Sequence, residues 1–343
     1  MELAFGTPAD RTVFVGAAEL LAGAELQYDA NSDVTINLID NGRAIATGSR
    51  KGNVLKCIAV DPARRSEGLV NRVVSALVSD AARNGLAHLF LFTKPENGKF
   101  FGSVGFYPVA STQRVLLMEN IRGGIDRFVR SLDAPQTKGR IGCIVAHCNP
   151  FTRGHLFLAE TASQACDLVH FFVLSESGSM FTAEERLELS KTVLRRFPNV
   201  LVHTTEDYLI SYVTFPDYFL KRNAKEANCL LDLTVFVEKI AGPLGISERF
   251  VGTEPAVPLM SRYNSAMAEF LPSHGIRVTE VPRLRVGENV VSASAVRRLI
   301  ANGDMEKAKE LLPPEAYDFI CRWRAERVRM SGQKADRVTE LKS

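Results

Sequence analysis

No stretch of this chain approaches the ~18 uninterrupted apolar residues that a membrane-spanning helix needs. No C-x-x-C pair and no histidine set at zinc-ligand spacing accompanies its cysteines, Cys57, Cys143, Cys148, Cys166, Cys229 and Cys321. These absences argue against a bilayer span, a disulfide framework and a zinc finger, and the cysteines are expected to be buried, reduced thiols. The opening MELAFGTPADRTVF has early acidic residues and no long apolar core, so it does not read as a secretory signal, and a cytoplasmic location is expected. A net charge of +3 is too small to argue for nucleic acid. The visible basic excess lies in the tail, CRWRAERVRMSGQKADRVTELKS, which reads as a solvated helix. No repeat or low-complexity block is present. What remains is 46% hydrophobic and 24% charged residues, the balance of a soluble globular protein. At about 150 residues per domain, 343 residues suit two domains.

Residues 34–60 read as antiparallel strands, VTINLID, RAIATGSRKG and NVLKCIAV, with Asn41-Gly42 as a hairpin turn. A helix follows, with Leu69, Val73, Val74, Leu77 and Val78 at helical spacing and Gly85 as its C-terminal stop. LAHLFLFT and QRVLLME are further strands. Between about Asn120 and Gly139 the chain carries Gly-Gly, Pro and charges, which marks a boundary. The expected domains are therefore 1–125 and 139–343.

From Ile141 strands and helices alternate: IGCIVAH, HLFLAETASQAC, LVHFFVLS, TAEERLELSKTVLRRF with a Thr182/Glu185 capping box, NVLVHTT, a helical stretch around Lys225–Ile240, RFVGT, YNSAMAEFL and IRVTEVP, then helices after Ser294. Such alternation implies a parallel sheet covered on both faces, with ligands at the carboxyl ends of its strands.

NPFTRGH, at the first strand-to-helix junction of that domain, places Gly154 and His155 where a helix begins. A helix N-terminus favours phosphate through its unpaired N–H groups and its dipole, and glycine lets an anion approach the backbone. A histidine there adds a hydrogen bond that strengthens as charge develops. Thr152-Arg153-Gly154-His155 resembles the T/H-x-G-H signature of the nucleotidyltransferase superfamily. VVSASAVRRLI, far downstream, resembles its I-S-x-T/S-x-x-R motif, with Ser292, Ser294 and Arg297 in place. Ser294 is expected at the helix N-cap, with Arg297 about one turn on, able to reach a phosphate.

The blocks GCIVAHCNPFTRGH, HFFVLSESGSMFTAEER, YLISYVTFPDYFLK, RFVGTEP, RYNSAM and EVPR together resemble those of the citrate lyase ligase family, over nearly the whole chain. The resemblance implies an acid-thiol ligase using ATP, Mg²⁺ and acetate to acetylate the thiol of the phosphoribosyl-dephospho-CoA group on the acyl carrier subunit of citrate lyase. Acetyl adenylate is the implied intermediate, and pyrophosphate and AMP are released; neither nucleic acid nor membrane is implied as a partner. On that basis His155, Lys221 and Arg297 are the expected catalytic residues. Asn149, Pro150, Phe151, Thr152, Gly154, His155, Gly252, Thr253, Glu254, Ser292, Ser294 and Arg297 are the expected nucleotide-binding residues, and no protein-held metal site is expected. Arg186 is read as serving the nucleotide or as a surface ion pair near Glu188, and His147 as able to face the nucleotide. His88, His170 and His203 read as core. Two other readings share the phosphate motifs: an adenylyltransferase acting on phosphopantetheine or nicotinamide mononucleotide, and a non-catalytic carrier-binding scaffold.

The N-terminal pattern, with FFGSVGFYP after its helix and strand, resembles the GCN5-related N-acetyltransferase fold. Such domains grip acyl-CoA pyrophosphate in an R/Q-x-x-G-x-G/A loop. Here the loop reads ARRSEGL: Ala63, Ser66 and Leu69 depart from the motif and Gly68 remains. Gly68, Ser66 and, in the later block, Ser211 are the candidates for contact with an acyl or CoA moiety. The expected fold class is thus α/β, an α+β N-acetyltransferase-like domain followed by a doubly wound, Rossmann-like nucleotidyltransferase domain.

Overall fold

The computed structural model describes residues 1–24, 26–132, 134–135, 137–175, 179–209, 224–253, 258–287 and 289–340. They divide into two compact units, Met1–Ser131 with Ile210–Gly242, and Leu132–Leu209 with Pro243–Ser343.

The first unit is a seven-stranded sheet in the order β1-β2-β3-β4-β5-β7-β6. Its strands are β1 (Glu2–Gly6), β2 (Val34–Asp40), β3 (Arg43–Lys51), β4 (Val54–Val60), β5 (Phe90–Thr93), β6 (Tyr107–Ser111) and β7 (Leu116–Glu119). β1 to β4 pair antiparallel. The β2–β3 turn has positive φ at both Asn41 and Gly42, as a two-residue hairpin loop demands. β5 then joins β4 in parallel, at Val54↔Phe90 and Leu55↔Leu91 only, after the crossover helix α2 (Leu69–Arg83). The strands expected from VTINLID, RAIATGSRKG, NVLKCIAV, LAHLFLFT and QRVLLME are present as β2, β3, β4, β5 and β7.

α2 buries Leu69, Val73, Val74, Leu77 and Ala81, an i, i+4, i+5, i+8, i+12 stripe, against the sheet. A fully buried Val or Leu contributes roughly 1.5–3 kcal/mol. The approach is close at β3: a Cβ on Gly48 would lie 2.6 Å from Val73 Cγ1. β1 and helix α1 (Arg11–Gly23) were not anticipated from the sequence. α3 (Gly98–Ser103) precedes β6, and α4 (Gly124–Ser131) occupies the stretch read as a boundary. α7 (Ala224–Val235) and the π-helical turn Phe236–Ala241 also group with this unit, although linear order assigns them to residues 139–343. The short helix α8 (Gly242–Leu244) follows.

The second unit carries a five-stranded, all-parallel sheet in the order β10-β9-β8-β11-β12. Its strands are β8 (Ile141–Ala146), β9 (Leu168–Val173), β10 (Val200–Thr204), β11 (Glu248–Gly252) and β12 (Arg277–Val281). The helices are α5 (Arg153–Ala165), α6 (Ala183–Leu194), α9 (Pro258–Phe270), α10 (Ala293–Asn302), α11 (Met305–Leu311) and α12 (Pro314–Glu340), with a small hairpin of β13 (Arg285–Val286) and β14 (Asn289–Val290). All six residues of β9 are buried, as a sheet covered on both faces requires. The core joins Ile144, Phe151, Phe171, Leu189, Val193 and Phe250. From β8 the order runs outward to β9 on one side and β11 on the other, so the topological switch lies between β8 and β11. Those two strands pair at Glu248↔Gly142 and Arg249↔Cys143, and the crevice of such a switch point belongs at their carboxyl ends.

Five cysteines are buried free thiols as expected, whereas Cys321 is exposed. No helix among the described residues is long and apolar enough to cross a membrane.

Candidate active site

β8 ends at Ala146 and α5 begins at Arg153, so residues 147–152 form the loop over the crevice, with a cis peptide bond at Asn149-Pro150. Thr152 is the N-cap of α5 and His155 its third residue, and the two form a reciprocal capping box. The Thr152 backbone N–H donates to His155 Nδ1 at 2.9 Å, and Thr152 Oγ1 lies 3.0 Å from the same nitrogen. Because Nδ1 accepts a backbone N–H, the proton of the neutral ring sits on Nε2. Burial, with His147 and Arg283 nearby, pushes the His155 pKa down to about 4. At neutral pH the residue is thus an uncharged N–H donor held by its own helix cap.

The distant serine–arginine motif closes on this loop. Arg297 Nη1 donates to the Asn149 carbonyl oxygen at 2.5 Å, and Nη2 donates to Ser294 Oγ at 3.1 Å. A guanidinium has five N–H donors, so others remain for an anion. The N-cap of α10 is Ser292, whose Oγ accepts from the Ala295 N–H at 3.1 Å. That corrects the placement of Ser294 at the cap: Ser294 lies inside the first turn, exposed, and orients Arg297. A Cβ on Gly154 would lie 3.6 Å from the Val291 carbonyl oxygen, so the segment leading into α10 packs beside the glycine.

A second guanidinium holds the loop from within. Arg186, 1% exposed, is buried rather than on the surface as its helical position had suggested. Its Nη1 donates to the His147 and Leu174 carbonyl oxygens at 2.9 and 2.7 Å, and its Nε to those of Phe181 and Thr182 at 3.2 and 3.3 Å. The signal was there to read, because Arg186 shares the apolar stripe of α6 with Leu189 and Val193. His147 Nε2 lies 3.0 Å from Ser179 Oγ; burial, then Arg186 and Arg297, push its pKa down to about 4. Cys148 is no nucleophile, since burial pushes its thiol up to about 12.

Of the remaining candidates, Asn149, Pro150, Phe151 and Thr152 are buried. Phe151 packs in the core near Phe171, so only its backbone can face a ligand. Asn149 Oδ1 accepts from the Phe181 N–H at 3.3 Å and stabilises the loop. Gly252 and Thr253 end β11 across the switch point, and a Cβ on Gly252 would meet nothing within 4 Å. Two residues the sequence reading left unassigned hold that end: Asn264 Nδ2 donates to the Gly252 carbonyl at 3.0 Å, and Arg283 Nε to the Thr253 carbonyl at 2.8 Å. Lys221, Ser211 and Glu254 lie outside the described residues. A cavity of about 560 Å³, lined by Arg140, Glu248, Pro272, Ile276 and Arg277, sits at the amino ends of the strands, the end of the sheet opposite the motif.

In the first unit, Ser66 and Gly68 are exposed, and Gly68 takes a left-handed conformation between a 3-10 turn and α2. The loop carries its own contacts: the Asp61 carboxylate accepts from the Ala63 N–H at 3.0 Å. Arg64 reaches both Glu67 oxygens, at 2.7 and 2.6 Å, and Asp40 at 2.6 Å.

Residues 141–320 match the family described as citrate lyase ligase C-terminal domain. The chain is 39% identical over 304 residues to the citrate (pro-3S)-lyase ligase of Klebsiella pneumoniae, covering 86% of this chain and 89% of that protein. It is 36% identical over 312 residues to the Escherichia coli K12 ligase, covering 88% and 89%. Among solved structures, an acyl-CoA N-acyltransferase from Pseudomonas aeruginosa is 16% identical with a TM-score of 0.31, covering 35% of this chain and 100% of its own. With a family match over more than half its length and relatives of this identity along nearly all of it, the chain belongs to the citrate lyase ligase family.

Proposed function

We propose that this protein uses ATP and acetate to acetylate the thiol of the phosphoribosyl-dephospho-CoA group carried by the acyl carrier subunit of citrate lyase. An acetate oxygen attacks the α-phosphorus of ATP, and the bond to pyrophosphate breaks. The carrier's thiol then attacks the carbonyl carbon of acetyl adenylate; the bond to AMP breaks and the thiol proton is released.

In this reading the α5 N-terminus and the His155 Nε2–H stabilise charge developing on the triphosphate, and Arg297, oriented by Ser294, holds the departing pyrophosphate. Gly252 and Thr253 border the adenosine side, and Lys221 is a charge partner for acetate or phosphate. Mg²⁺ enters with the triphosphate and shields its charge. Among the described residues no group of three or more His, Cys, Asp or Glu side chains gathers that could hold a metal ion.

The observation that carries the reading is the Arg297–Asn149 hydrogen bond, which joins two motifs 148 residues apart into one anion-facing clamp. Relatives matched along most of the chain are ligases, which disfavours the adenylyltransferase and scaffold alternatives. The test is pyrophosphate release with ATP, holo-carrier and a panel of short carboxylates. Acetate-dependent release with acetylated carrier is expected; release dependent on phosphopantetheine instead would overturn the reading.

Gly154→Ala separates ligand approach from folding. In the protein alone the added Cβ meets only ordinary contacts, 3.4 Å to Thr152 Oγ1 and 3.6 Å to Val291 O. Stability is expected to stay within about 0.5 kcal/mol of the parent, while KM for ATP rises about tenfold, roughly 1.4 kcal/mol. Thermal melting and initial rates read the two effects, and an unchanged KM would show that no anion comes close to this backbone.

A further inference from the structure

α10 presents two working faces. Ser294 and Arg297 turn toward the loop after β8, while Ala295, Arg298, Leu299 and Asn302 line a separate cavity of about 500 Å³, walled by α11 and the β13–β14 hairpin. We propose that this cavity receives the phosphorylated, thiol-bearing arm of the acyl carrier during the second half-reaction, an inference that rests on the function proposed above.

Three observations support that occupant. The volume lies in the range of about 300–1,000 Å³ typical of small-molecule sites. The lining is apolar along Val286, Val290, Leu299 and Leu311, which suits the methylene and methyl groups of a pantetheine chain. Cations stand at the rim. Arg298 is exposed with no ion pair among the described residues, and Lys307 has only a loose, exposed pairing with Asp304 at 3.7 Å. Such a pairing yields readily to phosphate. Among the described lining residues Glu310 alone is acidic, and Arg153 Nη1 donates to its backbone carbonyl at 3.2 Å.

The cavity also adjoins the nucleotide loop. Ser292 both lines it and caps α10, and Val291, the preceding residue, packs beside Gly154. On the other wall, the Arg153–Glu310 contact ties α11 to the residue between Thr152 and Gly154. A chain lying here therefore brings its terminus to the side of the loop where an acyl adenylate would form, without displacing the anion held by Arg297.

The test uses the full-length protein with Arg298→Glu and Lys307→Glu combined, both exposed changes that leave the core intact. Two reactions are measured: acetate-dependent ATP–pyrophosphate exchange, which needs no carrier, and acetyl transfer to holo-carrier. Exchange is expected to stay within about twofold of the parent, while KM for the carrier rises about tenfold or more. Free dephospho-CoA, used as a soluble acceptor, is expected to lose efficiency in parallel. Unchanged carrier KM overturns the proposal, and so does an equal fall in exchange, which would assign the cavity to the nucleotide. A defect with the carrier but none with dephospho-CoA also overturns it, because the two cations would then meet the carrier's protein surface. If the parent itself shows no acetate-dependent exchange, the proposed function fails first, and the cavity's assignment with it.

Discussion

Replacing His155 with alanine is expected to lower turnover by about 10²- to 10³-fold, the effect of removing one charge-stabilising donor. Alanine also deletes the acceptor of the Thr152 N–H, so loss of the cap could be mistaken for loss of chemistry. His155→Asn separates the two. A short amide oxygen can stand in for Nδ1 toward the Thr152 N–H, but nothing replaces the Nε2 donor. The asparagine protein is therefore expected to melt close to the parent and to turn over as poorly as the alanine variant. With the imidazole pKa near 4, the donor stays neutral across the physiological range, so the activity attributable to this residue should show no titration between about pH 6 and 8. An asparagine variant with near-parental turnover would remove His155 from the chemistry.

The site was legible in the sequence to the extent that its parts are local. A buried strand, a turn and a helix are written consecutively in GCIVAHCNPFTRGH, and period and capping chemistry suffice to read them. The pairing of Thr152 with His155 is also local, since N-cap and N3 face each other on any helix. Within VVSASAV, however, two serines compete for one cap, and the motif drew the choice to Ser294. Ser292 takes it because its backbone is extended, φ −142° and ψ 147°, where the helix has not yet begun.

What could not be read is what tertiary packing decides. The segment containing α7 follows β10 in sequence yet groups with the first unit, where it lies against β6, a neighbour that linear order does not announce. Asn264 lies in a block read as a helix, and Arg283 in one noticed for its resemblance. Their roles depend on backbone carbonyls at the end of β11, and a carbonyl's need for a donor leaves no mark on its own residue type.

Arg186 is the strongest example, and its replacement by methionine is expected to destabilise the protein by about 3–5 kcal/mol. Methionine fills much of the same volume, so a cavity is not the main cause. The loss comes from acceptors: the His147 and Leu174 carbonyls lie just past the ends of two adjacent parallel strands, and one nitrogen serves both. A buried acceptor left without a partner costs about 1–3 kcal/mol. The Thr182 carbonyl keeps the α6 backbone N–H of Arg186 as a donor, so it adds little to the total. Arg186→Lys restores a charge but not a fork, and one ammonium cannot span the acceptors fixed at these positions, so an intermediate loss is expected. Function should fall with stability but not in proportion. The loop from His147 to Thr152 is gripped at His147 by Arg186 and at Asn149 by Arg297, and releasing one grip lets the Asn149 carbonyl drift from the other. Urea unfolding at pH 7 reads the first effect, and KM for ATP at a temperature where the variant stays folded reads the second. A methionine variant within about 1 kcal/mol of the parent would show that water or other groups satisfy these carbonyls, and that the grip on the loop comes from Arg297 alone.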